Sequence, residues 1–355
     1  MKILITGGAG FIGCNAARHF MQRGHEVVVF DNLSRKGASA NLEWLRSQGR
    51  FAFIAGDVRD SRQVMDAVGG CDVVLHLAAQ VAVTRSIVDP REDFETNALG
   101  TLNVLEAARL ATHPPIVLFS STNKVYGDMA NTPIVEESDH YRLADLPFGV
   151  SEEYPLNFLS PYGCSKGAAD QYTRDYARIY GLRTVVLRQS CIYGTRQLGV
   201  EDQGWVAWFL AATLLDRPIT LYGDGKQVRD LLFVDDLVEL YERVIERIDC
   251  VSGEVFNVGG GPANQLSLLQ CLEQIRKVTG KEPAISFAPW RPGDQRVFVA
   301  DVRRASDMVG WQPKTDVAAG IDALYEWARQ NRDLLASVLS EPSPGRPAAS
   351  EGIEE

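Results

Sequence analysis

Lys2–Gly13, KILITGGAGFIG, holds the pattern that decides the fold. Ile3, Leu4 and Ile5 form a short apolar run, the mark of a strand buried on both faces. It breaks directly into Gly7, Gly8, Ala9, Gly10, Phe11, Ile12 and Gly13, so a strand, a tight turn and a helix start are predicted in succession. Glycines at 7, 10 and 13 let the backbone approach a bound group, and the free N–H groups of a helix N-terminus stabilise a pyrophosphate there. The spacing is GxxGxxG, a pattern that a turn merely packing a helix onto a strand also shows. Context decides for a ligand: Glu26–Asp31, EVVVFD, ends in a carboxylate 24 positions after Gly7, placed to accept adenosine ribose hydroxyls. Asp31 would also repel a 2′-phosphate, which favours NAD over NADP, although Arg35 and Lys36 temper that preference. Asn32, Ser34 and Arg35 follow Asp31 and are expected at the same end of the cofactor.

Working outward, further β-branched runs at Phe51–Asp57, Asp72–Leu77, Ile116–Ser121 and Arg183–Gln189 alternate with segments apolar at helical spacing, such as Thr96–Ala111. Apolar strands separated by helices predict an α/β fold with a Rossmann-type, doubly wound parallel sheet covered on both faces. Ligands of such sheets sit beyond the carboxyl ends of the strands. That places Asp57 with Val58, then Leu77, Ala78, Ala79 and Gln80, and finally Gln189 among the expected cofactor contacts. For Asp57 a helix N-cap is an almost equal expectation. The predicted organisation is an NAD-binding domain over 1–189, to which the chain returns around 228–262. A smaller α/β substrate lobe follows over 190–330, and the tail 341–355, EPSPGRPAASEGIEE, is expected to be disordered.

Composition narrows the partners. A net charge of -10 argues against nucleic acid. No apolar stretch reaches the ~18 residues of a membrane span, and the start of the chain does not read as a signal peptide. The 6 cysteines stand singly, without CxxC spacing, and the 5 histidines show no i, i+4 pair. A cytoplasmic protein with reduced thiols and no metal is expected.

Chemistry concentrates in two stretches. Ser120–Gly127, SSTNKVYG, follows the buried run Ile116–Phe119 with three hydroxyls. Ser160–Lys166, SPYGCSK, looks like a helix start, with Ser160 as N-cap, Pro161 at the first turn and Gly181 as the stop. Tyr162 and Lys166 then lie one turn apart on one face. A phenol has a pKa of ~10; a neighbouring ammonium and a nicotinamide cation would both favour phenolate and make Tyr162 a base.

With the glycine turn, the hydroxyl-ended strand and Asn97 early in the intervening helix, the chain resembles the NAD-dependent epimerase/dehydratase family. These are extended short-chain dehydrogenases/reductases, and the resemblance runs from Met1 to about residue 330. It implies that Thr122 hydrogen-bonds the reacting sugar oxygen, Tyr162 is the base, Lys166 binds the nicotinamide ribose, and Asn97 belongs to the cofactor site. Relatives that eliminate water carry Asp and Glu directly after this hydroxyl; Asn123 and Lys124 cannot take those roles. Oxidation of a sugar alcohol followed by re-reduction is what remains.

Longer stretches, SPYGCSKGAADQY (Ser160–Tyr172), RQSCIYG (Arg188–Gly194), EDQGWV (Glu201–Val206) and DQRVFVAD (Asp294–Asp301), are similar to the branch that inverts carbon 2 of CDP-linked dideoxyhexoses. A UDP-hexose 4-epimerase and a non-catalytic NAD-binding sensor are the competing expectations. The resemblance further implies a nucleotide-sugar substrate whose phosphates meet Arg229 and Arg291, with Asn123, Gln203, Val206 and Tyr222 as further substrate contacts. It implies a homo-dimer or homo-tetramer as well, packed through Thr96–Ala111 and Pro161–Tyr180.

Overall fold

In the computed structural model, which describes residues 1–291 and 293–340, the predicted alternation becomes a seven-stranded parallel sheet. The first five strands are β1 (Lys2–Thr6), β2 (Glu26–Asp31), β3 (Ala52–Ala55), β4 (Val73–His76) and β5 (Ile116–Thr122). Across the sheet the order runs Val255–Val258, Thr184–Gln189, β5, β4, β1, β2, β3. The direction of winding reverses between β1 and β4, which opens a crevice at their carboxyl ends. The 341–355 tail lies outside the described residues.

Uninterrupted apolar strands are explained by the two cores they feed. Ile3, Ile5, Val27, Val29, Val73 and Leu75 pack on one face with Phe20, Leu42 and Leu45. Leu4, Val28, Phe30, Val74 and Val117 pack on the other with Val64, Val104 and Tyr176. Successive side chains point to opposite faces, so both alternate sets must be apolar when helices cover both sides.

Two helices differ in detail from their expected form. Thr96–Ala111 reads as uniform, but the chain makes a π-helical turn over Glu95–Leu99 before the α-helix Gly100–Leu110. The long helix Ser160–Tyr180 has Pro161 in its first turn and Gly181, at φ +68°, as its stop. Ser160 is the first residue of the helix and not its N-cap, a position Leu159 takes; at φ +69° its Oγ still accepts from the Gly163 N–H at 3.2 Å.

Past Gln189 the chain builds a second layer. Val228–Phe233 pairs with Cys191–Tyr193 and Val297–Phe298 in parallel and with Gln265–Ser267 antiparallel. Between these strands the chain passes back to the main sheet at Val255–Val258, beside Thr184–Gln189. Helices Trp205–Leu214, Leu268–Thr279 and Val317–Gln330 close around a separate apolar cluster that includes Phe209, Leu210, Ile275 and Leu324. This layer hangs over the carboxyl ends of β1, β4 and β5, where it walls the crevice. No helix of the described residues is long and apolar enough to cross a membrane.

Candidate active site

The crevice holds two adjoining cavities. One, of about 370 Å³, runs along the strand ends from Asp31 to Tyr162. The other, of about 350 Å³, lies between the same junction and the second layer. Thr122, Tyr162, Ser190, Cys191, Gln203 and Trp205 line both, so a group in one cavity abuts a group in the other at the Thr122–Tyr162 wall.

The first cavity has the form of a dinucleotide cradle. Gly7 has φ +68°, and a Cβ there would stand 2.8 Å from Ala78 N; a Cβ on Gly13 would stand 2.2 Å from Gly7 O. The turn can therefore lie tight under a pyrophosphate only with glycine at both positions. Asp31 accepts the N–H groups of Ala9 at 3.0 Å and Leu33 at 2.8 Å. Burial raises its pKa, and those two bonds work in the opposite direction. Gly10, Phe11, Ile12, Asn32, Ser34, Arg35, Val58, Leu77, Ala78, Ala79, Lys166 and Gln189 also line this cavity. Asp57 does too, and the neighbouring helix is capped instead by Asp60. Arg59 hydrogen-bonds the Asp57 carboxylate and holds it down at about 2. A cleft with glycines at the pyrophosphate and a carboxylate at the ribose fits NAD.

Three residues expected in contact with ligand are not on either cavity wall. Gln80 and Asn97 bind each other, with Asn97 Oδ1 accepting from Gln80 N at 2.9 Å and Asn97 Nδ2 donating to Gln80 O at 3.0 Å. They act as a brace behind the wall. Val206 is 1 % exposed and packs in the apolar cluster of the second layer. It occupies the inward face of the helix Trp205–Leu214, whose apolar sequence hides which side meets the cavity.

At the junction Thr122 meets Tyr162, as the family resemblance implies, and Lys166 lies one helical turn on, as the spacing predicts. Thr122 ends β5, and its hydroxyl hydrogen-bonds the Tyr162 phenol. Lys166 Nζ donates to Ser120 O at 2.5 Å and sits 4.3 Å from the Phe119 ring centroid. In the protein alone, burial pushes Tyr162 up to about 12; the Thr122 bond and the Arg35 charge oppose this, and Asp93 adds to it. Burial also pulls Lys166 down to about 7, against the charges of Asp170 and Asp93. Desolvation therefore outweighs the expected activation of Tyr162 in the protein alone, and a positive ring in the first cavity would act in the activating direction.

Sequence reasoning missed the supports of this pair, because the contacts that make them supports join distant segments. Asp93 is 0 % exposed and accepts from Ser165 Oγ at 2.5 Å, Gln80 Nε2 at 2.8 Å and Asn97 Nδ2 at 3.2 Å. Asp170, one turn beyond Lys166, takes a bidentate grip from Arg188, 2.9 Å on each oxygen, and a bond from Ser121 at 2.7 Å. The Tyr162/Lys166 helix is thereby fastened to two strands of the sheet.

The second cavity gathers Asn123, Gln203, Tyr222, Arg229 and Arg291, with Lys124 and Asp294 beside them. Arg229 donates to Asp294 at 2.7 Å, and the Arg291 guanidinium lies 3.9 Å above the Tyr222 ring while reaching Asp202 at 3.1 Å. Burial works against the Asp294 carboxylate, but Arg229 and Lys124 outweigh it and hold its pKa below the ordinary value. The three cations of the second cavity, Lys124, Arg229 and Arg291, face Glu201, Asp202 and Asp294 on the same wall, so an anionic substrate would be met by their directed donors and not by a net positive charge.

Comparison with known proteins agrees with this geometry. Residues 3–259 match the model of the NAD dependent epimerase/dehydratase family. The chain is 45% identical over 334 residues to the CDP-paratose 2-epimerase of Salmonella typhi, covering 92% of this chain and 99% of that protein. It superposes on the UDP-glucose 4-epimerase of Thermotoga maritima, solved with UDP-glucose, with a TM-score of 0.80 and 31% identity over 93% of this chain and 99% of that one. A UDP-glucuronic acid 4-epimerase from Bacillus cereus, solved with UDP-glucuronic acid and NAD, gives a TM-score of 0.79 and 29% identity over the same 93% and 99% shares. Glycine cradle, terminal carboxylate, Thr–Tyr–Lys junction and full-length similarity converge: the chain belongs to the NAD dependent epimerase/dehydratase family and is an enzyme with NAD as its cofactor.

Proposed function

We propose that this enzyme inverts carbon 2 of a CDP-linked dideoxyhexose, converting CDP-paratose to CDP-tyvelose. The observation that carries it is the junction itself: Thr122 and Tyr162 stand where the two cavities meet, and Asn123 and Lys124, not carboxylates, follow the hydroxyl. Similarity to the Salmonella typhi 2-epimerase supports the choice of base and carbon.

When bound, NAD would supply the two-electron redox chemistry, accepting a hydride from carbon 2 and returning it to the opposite face. The protein does the rest. Gly7, Gly10 and Gly13 admit the pyrophosphate, and Asp31 holds the adenosine ribose. Thr122 hydrogen-bonds the reacting oxygen, Tyr162 takes its proton and later gives it back, and Lys166 favours the phenolate by its charge. Arg229 and Arg291 hold the diphosphate while the 2-keto sugar turns between the two half-reactions. Because the cofactor is regenerated in each cycle, little added NAD is needed.

A homo-oligomer, in a cytoplasmic setting, completes the proposal. The oligomer is supported by exposed apolar side chains on the helices expected to pair, among them Leu110, Tyr172 and Ile179. Product analysis by NMR tests the function. CDP-paratose mixed with the enzyme should give CDP-tyvelose, whereas inversion of a UDP-hexose at carbon 4, with CDP-paratose untouched, would replace this proposal by the 4-epimerase one.

A further inference from the structure

Lys124 was notable in the sequence only for what it excludes, yet the structure places it on the wall of the second cavity, with its amine on Asp294 of the same wall. It follows Thr122 by two positions, and its N–H donates to the Thr122 hydroxyl at 3.2 Å, so the residue is tied to the reacting end of β5. Among the described residues its ammonium makes one hydrogen bond, a long 3.4 Å to Asp294 Oδ1. That oxygen is already taken by Arg229 at 2.7 Å and by the Gln295 N–H at 3.0 Å. Two cations thus share one carboxylate, and Lys124 is the loosely held member with donors to spare. A cation kept there without full compensation is a place prepared for an anion.

Chemistry says which anion. In a nucleotide sugar the phosphate is bonded through oxygen to carbon 1. Carbon 2 is its direct neighbour, whereas carbon 4 lies across the ring. An enzyme that reacts carbon 2 must therefore hold the sugar-side phosphate close to the hydroxyl–phenol pair. An enzyme that reacts carbon 4 must hold it a ring's width away. We propose that Lys124 binds the sugar-side phosphate of the substrate and by doing so presents carbon 2, not carbon 4, to Thr122 and Tyr162. The inference rests on the carbon-2 function proposed above.

Electrostatics supports the same role. Burial brings the Lys124 amine down to about 8, Asp294 and Asp128 pull it up, and Arg229 pushes it down. A phosphate beside it would favour the ammonium, so binding should weaken as pH rises through about 8.

The test compares diphosphate with monophosphate on NAD-loaded enzyme, by titration calorimetry with CDP and CMP. Lys124→Met should weaken CDP by roughly tenfold or more, leave CMP and NAD content unchanged, and remove the loss of CDP affinity above pH 8. Lys124→Arg, which keeps the charge, should restore most of the CDP affinity. Equal weakening of CDP and CMP, or no weakening of either, would overturn the proposal and leave Lys124 as a brace for Asp294. The same ratio measured with UDP and UMP keeps this separate from the choice of base: wild-type preference for UDP would defeat the cytidine assignment while the diphosphate-to-monophosphate ratio still judged Lys124.

Discussion

The two cavities are built in different ways. The cofactor side is backbone: one strand, one glycine turn and one helix N-terminus within Lys2–Gly13, completed by a carboxylate at the end of the next strand. The substrate side is side chains: Asn123 and Lys124 from the 3-10 turn that follows β5, Gln203 from the loop before a helix, Tyr222 and Arg229 from two strands, Arg291 and Asp294 from a late loop. A backbone cradle tolerates little change and binds the same ligand throughout a family. A side-chain pocket can alter its base, its sugar or the carbon that reacts by single substitutions, and the solved relatives named for UDP-sugars share this fold at TM-scores of 0.79 and 0.80.

Substitutions can break or sharpen that contrast. The largest effect is expected at the junction, where Tyr162→Phe should lower turnover by on the order of 10²- to 10⁴-fold while bound NAD, read by absorbance after denaturation, stays at the wild-type level. Next comes the fastening of the Tyr162/Lys166 helix. Asp170→Asn leaves the Arg188 guanidinium buried without its counter-charge, and the unfolding free energy from denaturant titration should fall by about 3–5 kcal/mol. On the cofactor side, Gly13→Ala pushes a methyl to 2.2 Å from Gly7 O. It should cost about 1–3 kcal/mol and deplete NAD, while CDP binding in NAD-saturated protein is preserved.

A last prediction concerns pH, where the effect is spread over several units and is small at any one step. In the cofactor-free protein Lys166 is lowered from 10.5 to about 7, so between these values only the unfolded chain carries its proton. Stability from this group therefore rises with pH across that window, by at most about 1.4 kcal/mol per unit. Lys166→Met should remove that rise from the pH dependence of the unfolding free energy.

The contrast also explains what could be read in the chain. The parallel sheet, the glycine turn, Asp31 and the Tyr162/Lys166 face were legible because each lies within one contiguous run whose period fixes its geometry. The π-helical turn at Glu95–Leu99 was not, since a single wider turn barely disturbs a helical apolar pattern. Gln80 was assigned from its place beyond a strand end, and Asn97 and Val206 through similarity to a family; both routes identify a neighbourhood but not the side of the wall on which a side chain falls. Asp93 and Asp294 escaped notice because a buried carboxylate looks like any surface acid until the fold shows what surrounds it. Lys124 was read for the acid chemistry it forbids, while its position against Asp294 depends on a loop 170 residues away.

The central claim is that one enzyme-held cofactor removes and returns the same hydride at carbon 2. CDP-paratose carrying deuterium at carbon 2 tests it directly, incubated with the enzyme as purified in ordinary water and followed by NMR. The account predicts CDP-tyvelose with the deuterium retained at carbon 2. Product carrying a solvent proton there would contradict it, because inversion would then proceed by proton exchange and not by hydride return.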